Sequence, residues 1–201
     1  MKSKIHIKKY FKVYTDQLKI VLDSLDVERI NQSADLIEKT IKKNKTIYVC
    51  GNGGSHAIAN HYVCDYFKVL SQETDLKVQI KSLCSDSALI SAISNDFSYD
   101  DVFLYQAKRY FKKGDILILI SSSGNSNNIK KVLDYAIKKN ILTIGLSGFS
   151  GGYLKKKCSI PIYSNINNYG ISEDINHIIM HLVMQHIKIK NLVRNKKNPI
   201  L

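Results

Sequence analysis

The 201-residue sequence lacks several features that would point to other classes of protein. It has no tryptophan and two prolines, and its four cysteines show no C-x-x-C spacing of the kind found in zinc ribbons and redox motifs. No apolar stretch reaches the roughly 20 residues that a membrane-spanning helix needs, and lysines interrupt the N-terminus where a signal peptide would have its apolar core. We therefore expect a cytoplasmic protein with reduced thiols and no membrane partner.

Acidic residues are scarce, 17 against 30 basic ones, which gives a formal net charge of +13 at pH 7. Almost all of the basic residues are lysines, scattered over many segments, as on a solvated surface. No recognition motif and no interleaving of aromatic and basic side chains accompanies the charge. Nucleic acid is therefore not an expected partner, and residues 191–201 are interpreted as a basic tail.

Apolar runs alternate with helical patterns along the chain. Runs typical of buried strands lie at 46–50, 78–84, 115–120, 142–146 and 159–163, and helical patterns at 5–25, 27–44, 55–70, 86–94, 100–111, 127–139 and 172–190. This alternation predicts an α/β fold, a doubly wound parallel five-stranded sheet with helices on both faces and extra N-terminal helices. The length fits a single domain over residues 1–201.

The segment 47–68, IYVCGNGGSHAIANHYVCDYFK, runs from an apolar strand through a glycine-rich turn directly into a helix. Such a turn exposes backbone N–H groups at a helix N-terminus, where the macrodipole favours anions. Together with the Ser55 hydroxyl, these groups predict a site for a phosphate or another polyoxygenated anion. The expected ligand is a phosphorylated metabolite.

A second polar turn, SSSGNS at 121–126, follows the apolar strand ILILI and precedes a helix. Hydroxyls and free helix N–H groups can ring a phosphate without a fixed positive charge, although serine-rich turns also occur as plain loops or helix caps. The presence of two such turns after parallel strands favours phosphate binding over a plain loop, because ligands of such sheets lie beyond the carboxyl ends of the strands. Neither turn matches G-x-G-x-x-G or the P-loop pattern, which disfavours a nucleotide.

Two helical segments offer groups for proton transfer or metal binding. His61 and Asp65 stand four residues apart and share a helix face, a spacing that also occurs in surface ion pairs. The last helix carries Glu173, His177 and His181 at the same spacing, and these groups suit a divalent metal or acid–base chemistry. Glu173 and His181 are roughly 12 Å apart on a straight helix, so Glu173 can share an ion with His181 only from the preceding loop or by folding back.

Asn95 and Asp96 stand at a break between two helical patterns. A cap or turn and a contact with ligand are both open interpretations of this pair.

At these positions the sequence resembles the sugar isomerase (SIS) domain family, and within it the phosphoheptose isomerases or a close sister subgroup. Four segments carry the resemblance in the expected order: GNGGS with His61 and Asp65, NDFSYDDVF from Asn95, ISSSGNSNNIKKVLDYAIKKNILTIGLSG from Ile120, and NYGISEDINHIIMHLVMQ from Asn168. The resemblance implies a flavodoxin-like three-layer sandwich whose N-terminal helices, within residues 1–45, serve in packing and oligomerisation. It further implies a homotetramer, with active sites at subunit interfaces, that interconverts sedoheptulose 7-phosphate and a glycero-manno-heptose 7-phosphate through an enediol. The product would supply heptose for lipopolysaccharide or capsule.

The resemblance also implies roles for individual residues. Asp65 and His181 would be the catalytic acid and base, and one zinc ion per active site would be bound by His61, Asp65, Glu173 and His181. The substrate-binding residues would be Asn52, Gly53, Gly54, Ser55, Asn95, Asp96, Ser121, Ser122, Ser123, Ser126 and Glu173.

Four positions depart from the pattern usual for phosphoheptose isomerases. Asp65 stands in place of Glu, Gly170 of Asp, Glu173 of Gln and Asn176 of His. These departures keep a second hypothesis open, a non-catalytic SIS module that binds a phosphosugar or a protein partner, as the replication-initiator-associated protein does. The retained histidine and carboxylate set favours the enzyme.

Overall fold

The computed structural model describes residues 6–193, and every structural statement below refers to them. Five parallel strands form one sheet in the order β2-β1-β3-β4-β5. The strands are β1 (Thr46–Gly51), β2 (Gln79–Ser82), β3 (Ile116–Ser121), β4 (Leu142–Ser147) and β5 (Ile160–Tyr163). This architecture confirms the predicted fold class.

Eight α-helices and one short 3-10 helix, Tyr99–Asp101, connect and cover the strands within the described range. The helices are α1 (Ile7–Asp23), α2 (Val27–Lys42), α3 (Gly54–Glu73), α4 (Ser87–Asp96), α5 (Val102–Tyr110), α6 (Asn127–Lys138), α7 (Gly152–Lys157) and α8 (Tyr169–Lys190). Helices α2, α3 and α8 pack together on one face of the sheet, whereas α5 and α6 pack together on the other. None of the described helices is long and apolar enough to cross a bilayer.

The central strands consist of the aliphatic side chains that a sheet covered on both faces requires. Every residue of β3, ILILIS, is buried, and this strand pairs in parallel with both β1 and β4. The direction in which successive strands are added to the sheet reverses between β1 and β3, because the chain continues from β1 to β2 at one edge and from β3 through β4 to β5 at the other. The turns after β1 and β3 therefore flank the topological switch point, where open α/β sheets bind ligands.

Short polar side chains set several helix ends. Asp26, Asp86 and Asn168 cap α2, α4 and α8 by accepting hydrogen bonds from backbone N–H groups in the first turn. Asn44 and Asn140 have positive φ angles of 51° and 54° just beyond the ends of α2 and α6. Asparagine tolerates this left-handed conformation, so both helices stop there.

Helices α3 and α8 run side by side in the same direction. Tyr66 Oη donates to the Met180 carbonyl at 3.3 Å, and Lys188 Nζ forms an ion pair with Glu73 at 3.2 Å. Both pairs join residues separated by nearly the same number of positions, so the two helices stay in register along most of their length. Tyr62 and Tyr66, both on α3, are buried.

The structure adds two details to the predicted elements. Helix α7 is six residues long, too short for its periodicity to be recognised, and it follows Gly151, whose φ is +86°. Helix α8 begins at Tyr169 rather than near residue 172, because the Asn168 side chain caps its first turn. Most of the predicted basic tail, residues 194–201, lies outside the described residues.

Candidate active site

The turn after β1 forms the first corner of the site. Gly53 has φ +56° and ψ −123°, a conformation that favours glycine, and α3 begins at the next residue. Ser55 is buried within the first turn of α3. An added Cβ at Gly54 would overlap the Glu173 carboxylate, so the absence of a side chain there lets α8 approach the start of α3.

The turn after β3 forms the second corner. The Gly124 N–H donates to the Ser121 carbonyl at 2.9 Å, with Gly124 at φ +66°. The Ser121 and Ser126 hydroxyls lie 3.5 Å apart across the turn, and Ser123 Oγ accepts from the Asn125 N–H at 3.2 Å. The Ser122 hydroxyl is buried and has no hydrogen-bond partner in the described structure.

An asparagine pair joins the two corners. Asn52 Nδ2 donates to Asn128 Oδ1 and Asn128 Nδ2 donates to Asn52 Oδ1, both at 2.9 Å. Tyr99 Oη donates to the same Asn52 oxygen at 2.9 Å. The structure therefore brings the two predicted phosphate-binding turns together, and it adds Asn128 and Tyr99, which the sequence interpretation did not select although both lie in the quoted motifs.

Asn95 and Asp96 lie at the exposed end of α4. Asn95 Nδ2 donates to Asp96 Oδ1 at 3.0 Å, and in residues 6–193 neither side chain forms a hydrogen bond with either corner. The following 3-10 helix makes that contact through Tyr99. Substrate binding by Asn95 and Asp96 stays a prediction.

A group of three side chains that could hold a metal ion lies between α3 and α8. His61 Nε2 is 3.2 Å from one Asp65 oxygen, and His181 Nε2 is 3.2 Å from the other. One ligand atom from each residue lies within 4.8 Å of both others. The parallel register of the two helices creates this group, because it places His181 opposite the α3 face that carries His61 and Asp65.

His177 contacts the ring nitrogen of His61 that does not face Asp65. Its Nε2 atom is 3.2 Å from His61 Nδ1, on the opposite side of the ring from Asp65. Burial, together with the imidazoles of His61 and His181, lowers the pKa of His177 and so favours its neutral form. A neutral His177 that accepts a hydrogen bond from His61 Nδ1 leaves His61 Nε2 with a free lone pair.

Glu173 is not part of this group. It belongs to α8 itself rather than to the preceding loop, so it lies about 12 Å from His181 along the helix axis. Its carboxylate instead lies against Gly54 at the first corner. The ligand role of Glu173 stays a prediction, and in this arrangement its charge lies beside the glycine-rich turn.

The group of His61, Asp65 and His181 fits zinc by its chemistry and spacing. Catalytic zinc sites use three nitrogen or oxygen ligands and leave a fourth position for water or substrate. One ligand atom from each side chain lies within 4.8 Å of the other two, whereas ligand atoms about 2.1 Å from a tetrahedral ion are about 3.4 Å apart, so the three side chains would close in slightly around an ion. Their side chains are 19–41% exposed, which leaves the group open to solvent on one side.

Comparisons with known proteins identify the family of the chain. The family model described as SIS domain matches residues 9–148. The chain is 37% identical over 167 residues to the phosphoheptose isomerase of Buchnera aphidicola subsp. Acyrthosiphon pisum, covering 83% of each chain. It is 34% identical to that of Helicobacter pylori, over 90% of this chain and 91% of the relative.

Solved structures show the same relationship. A phosphoheptose isomerase from Francisella tularensis superposes with a TM-score of 0.82 at 25% identity, over 95% of this chain and all of the other. The family match covers more than half of the chain. The two relatives are 37% and 34% identical to it over most of its length. The protein therefore belongs to the SIS domain family, among the phosphoheptose isomerases.

Proposed function

We propose that the protein is a phosphosugar isomerase that interconverts sedoheptulose 7-phosphate and a glycero-manno-heptose 7-phosphate. One structural observation supports this proposal independently of the family membership. The predicted phosphate corner lies at the start of α3, and His61 and Asp65 follow on the same helix about 10–16 Å away by axial rise, with His181 of α8 beside Asp65. A heptose 7-phosphate likewise has its phosphate and its reacting carbons at opposite ends.

The two corners would hold the phosphate by uncharged donors. Helix N–H groups at the starts of α3 and α6, with the hydroxyls of Ser55, Ser121 and Ser126, suit a phosphate monoester without a lysine or arginine. Anchoring the far end of the sugar limits its movement at the reacting carbons, which lowers the entropic part of the barrier.

Asp65 and His181 would carry the proton transfers. A ketose becomes an aldose when a proton leaves C1, an enediol forms, and a proton is added at C2 while the hydroxyl proton moves from O1 to O2. We assign the carbon-bound proton to the Asp65 carboxylate and the oxygen-bound proton to the His181 imidazole. The two groups are in contact at 3.2 Å, which supports their acting on neighbouring atoms.

Zinc is the proposed metal, held by His61, Asp65 and His181, and when bound it would polarise the carbonyl oxygen as a Lewis acid. The residues fit that ion by donor type and spacing. In this scheme His61 serves to bind and orient and takes no proton itself. Glu173, whose carboxylate lies beside Gly54, would contact the sugar.

Assembly and cellular role belong to the same proposal. The apolar side chains that α1 exposes support a homo-oligomer, which we propose to be a tetramer. The four unpaired cysteines support a cytoplasmic location. The product would serve heptose synthesis for lipopolysaccharide or capsule.

An activity assay with variants tests the proposal. The parent protein, purified without chelator, is expected to contain zinc and to convert sedoheptulose 7-phosphate. Asp65→Asn and His181→Ala should each lower kcat by about 10²-fold to 10⁴-fold, the usual contribution of a general acid or base.

His186, an exposed histidine on α8, provides the control. His186→Ala should leave kcat unchanged. Parent activity in both the Asp65 and the His181 variants would contradict the assigned roles. A parent protein that binds sedoheptulose 7-phosphate without converting it would favour the non-catalytic hypothesis.

A further inference from the structure

The side chain of Asn128 occupies a buried position between the two corners. Asn128 is the second residue of α6 and is 2% exposed, whereas Asn52, in the turn after β1, is half-buried. Two hydrogen bonds link their amides head to tail. Asn52 is therefore held by a residue from the other corner.

The backbone fixes the orientation of both amides. Asn128 Oδ1 accepts from the Ile129 N–H at 2.9 Å, and a backbone N–H can only donate, so the atom that faces it must be the oxygen. With Asn128 fixed in this way, Asn52 must turn its Nδ2 towards Asn128 Oδ1 and its Oδ1 towards Asn128 Nδ2. If the Asn52 amide were reversed, its oxygen would face the Asn128 oxygen and its nitrogen would face the Asn128 nitrogen, so neither hydrogen bond could form.

The remaining hydrogen-bonding capacity of Asn52 follows from this orientation. Its oxygen already accepts from Asn128 and from Tyr99, which fills both lone pairs. Its nitrogen donates to Asn128 and has a second hydrogen without a partner among residues 6–193. The side chain can therefore offer a ligand a hydrogen-bond donor but no acceptor.

We propose that Asn128 is a positioning residue for the isomerase reaction: it holds the Asn52 amide so that one N–H faces an oxygen of the phosphosugar. The inference rests on the proposed function, since it assigns the oriented donor to that substrate. Asn128 acts only through Asn52, whereas Ser121 and Ser126 of the same corner would contact the phosphate themselves.

A double-mutant cycle distinguishes positioning from a general structural role. Asn128→Ala and Asn52→Ala should each lower kcat/KM for sedoheptulose 7-phosphate by about tenfold to a hundredfold, as expected for a displaced contact group. In the Asn52→Ala background, Asn128→Ala should change kcat/KM by less than about twofold, because its effect passes through the missing side chain.

Two further variants make the test independent of folding. Asn127→Ala, at the exposed neighbouring position, should retain the parent kcat/KM. Asn128→Asp keeps the shape and the acceptor for Ile129 but opposes an oxygen to Asn52 Oδ1, so it should lose at least as much as Asn128→Ala. If Asn128→Ala fails to show the parent melting transition, the cycle is run with Asn128→Asp.

Additive losses in the cycle, or parent kcat/KM in both Asn128 variants, would overturn the inference. If the parent binds sedoheptulose 7-phosphate but does not convert it, the proposed reaction is wrong, and the same cycle is read from dissociation constants measured by calorimetry. Non-additive losses in affinity would then still support the positioning role. Absence of binding by the parent would overturn both proposals.

Discussion

At the scale of single residues, the contact between His61 and His177 decides which ring nitrogen of His61 is free for a metal. Histidine ligands commonly donate their second N–H to a nearby acceptor, which fixes the tautomer and the ring orientation. His177 Nε2 lies 3.2 Å from His61 Nδ1 and serves as such an acceptor when the proton of the neutral His177 ring is on Nδ1. Removal of the acceptor should weaken metal binding without removing any of the three proposed ligands.

We therefore predict that His177→Ala lowers zinc affinity by about tenfold to a hundredfold, the usual effect of losing an outer partner of a ligand. Competition with a chromogenic chelator would measure it. His177→Gln, whose amide oxygen can accept the same hydrogen bond, should recover most of the affinity.

His186→Ala controls for loss of an exposed histidine on α8. Equal zinc affinity in the parent and in His177→Ala would mean that His61 is oriented by other contacts.

At the scale of helices, a buried carboxylate joins α2 to the end of α8. Glu38 is 6% exposed and accepts from Lys42 on its own helix, from Lys190 at 2.8 Å and from Asn191 at 3.0 Å. Burial by itself raises the pKa of Glu38, but the hydrogen bonds from Lys190, Lys42 and Asn191 outweigh it and lower this pKa from 4.5 to about 2. The charged form is thus stabilised in the folded state.

The pH dependence follows from the sign of this shift. The unfolded chain takes up a proton on Glu38 near pH 4.5 and the folded chain only near pH 2, so the stabilisation is complete above the unfolded pKa and is lost as pH falls towards the folded pKa. We predict that Glu38→Gln lowers the free energy of unfolding by about 2 kcal/mol at pH 7 and has little effect at pH 2.

Urea unfolding at both pH values would measure this difference. The exposed Glu28 lies on the same helix, and Glu28→Gln should change stability by less than about 0.5 kcal/mol. An equal loss for Glu38→Gln at both pH values would contradict the charged interaction.

At the scale of the whole molecule, α1 leaves an apolar surface without cover in the single chain. Among its residues only Val21 is buried, whereas Ile7, Phe11 and Ile20 are 71%, 67% and 66% exposed. Tyr14 shares a helix face with Ile7 and Phe11, and its Oη donates to Asp174 at 2.6 Å, which ties α1 to α8 and raises the pKa of Tyr14 to about 12. Exposed apolar side chains of this kind are common at interfaces between protein chains, which agrees with the proposed oligomer.

We predict that Phe11→Asp shifts the proposed oligomer towards smaller species, because it would bury a charge in an apolar contact. Sedimentation velocity at several protein concentrations would measure the shift. Lys9→Asp introduces the same side chain at an exposed polar position of α1 and should preserve the assembly. An unchanged sedimentation coefficient for Phe11→Asp would place the interface elsewhere.

The sequence by itself determined the local features of the protein. The aliphatic run ILILI predicts a buried strand because a sheet covered on both faces excludes polar side chains, and β3 is buried throughout. The two polar turns could be located for the same local reason, since each must follow a strand and start a helix. The spacing of His61 and Asp65 predicts their shared face from helix geometry alone.

Only the tertiary structure decided which of these features meet. The register between α3 and α8 places His181 against Asp65 and leaves Glu173 beside Gly54, and no spacing within α8 contains that information. The pairing of Asn52 with Asn128 likewise joins residues 76 positions apart. Such contacts depend on how whole elements pack, because periodicity specifies a helix face but not the partner that the face meets.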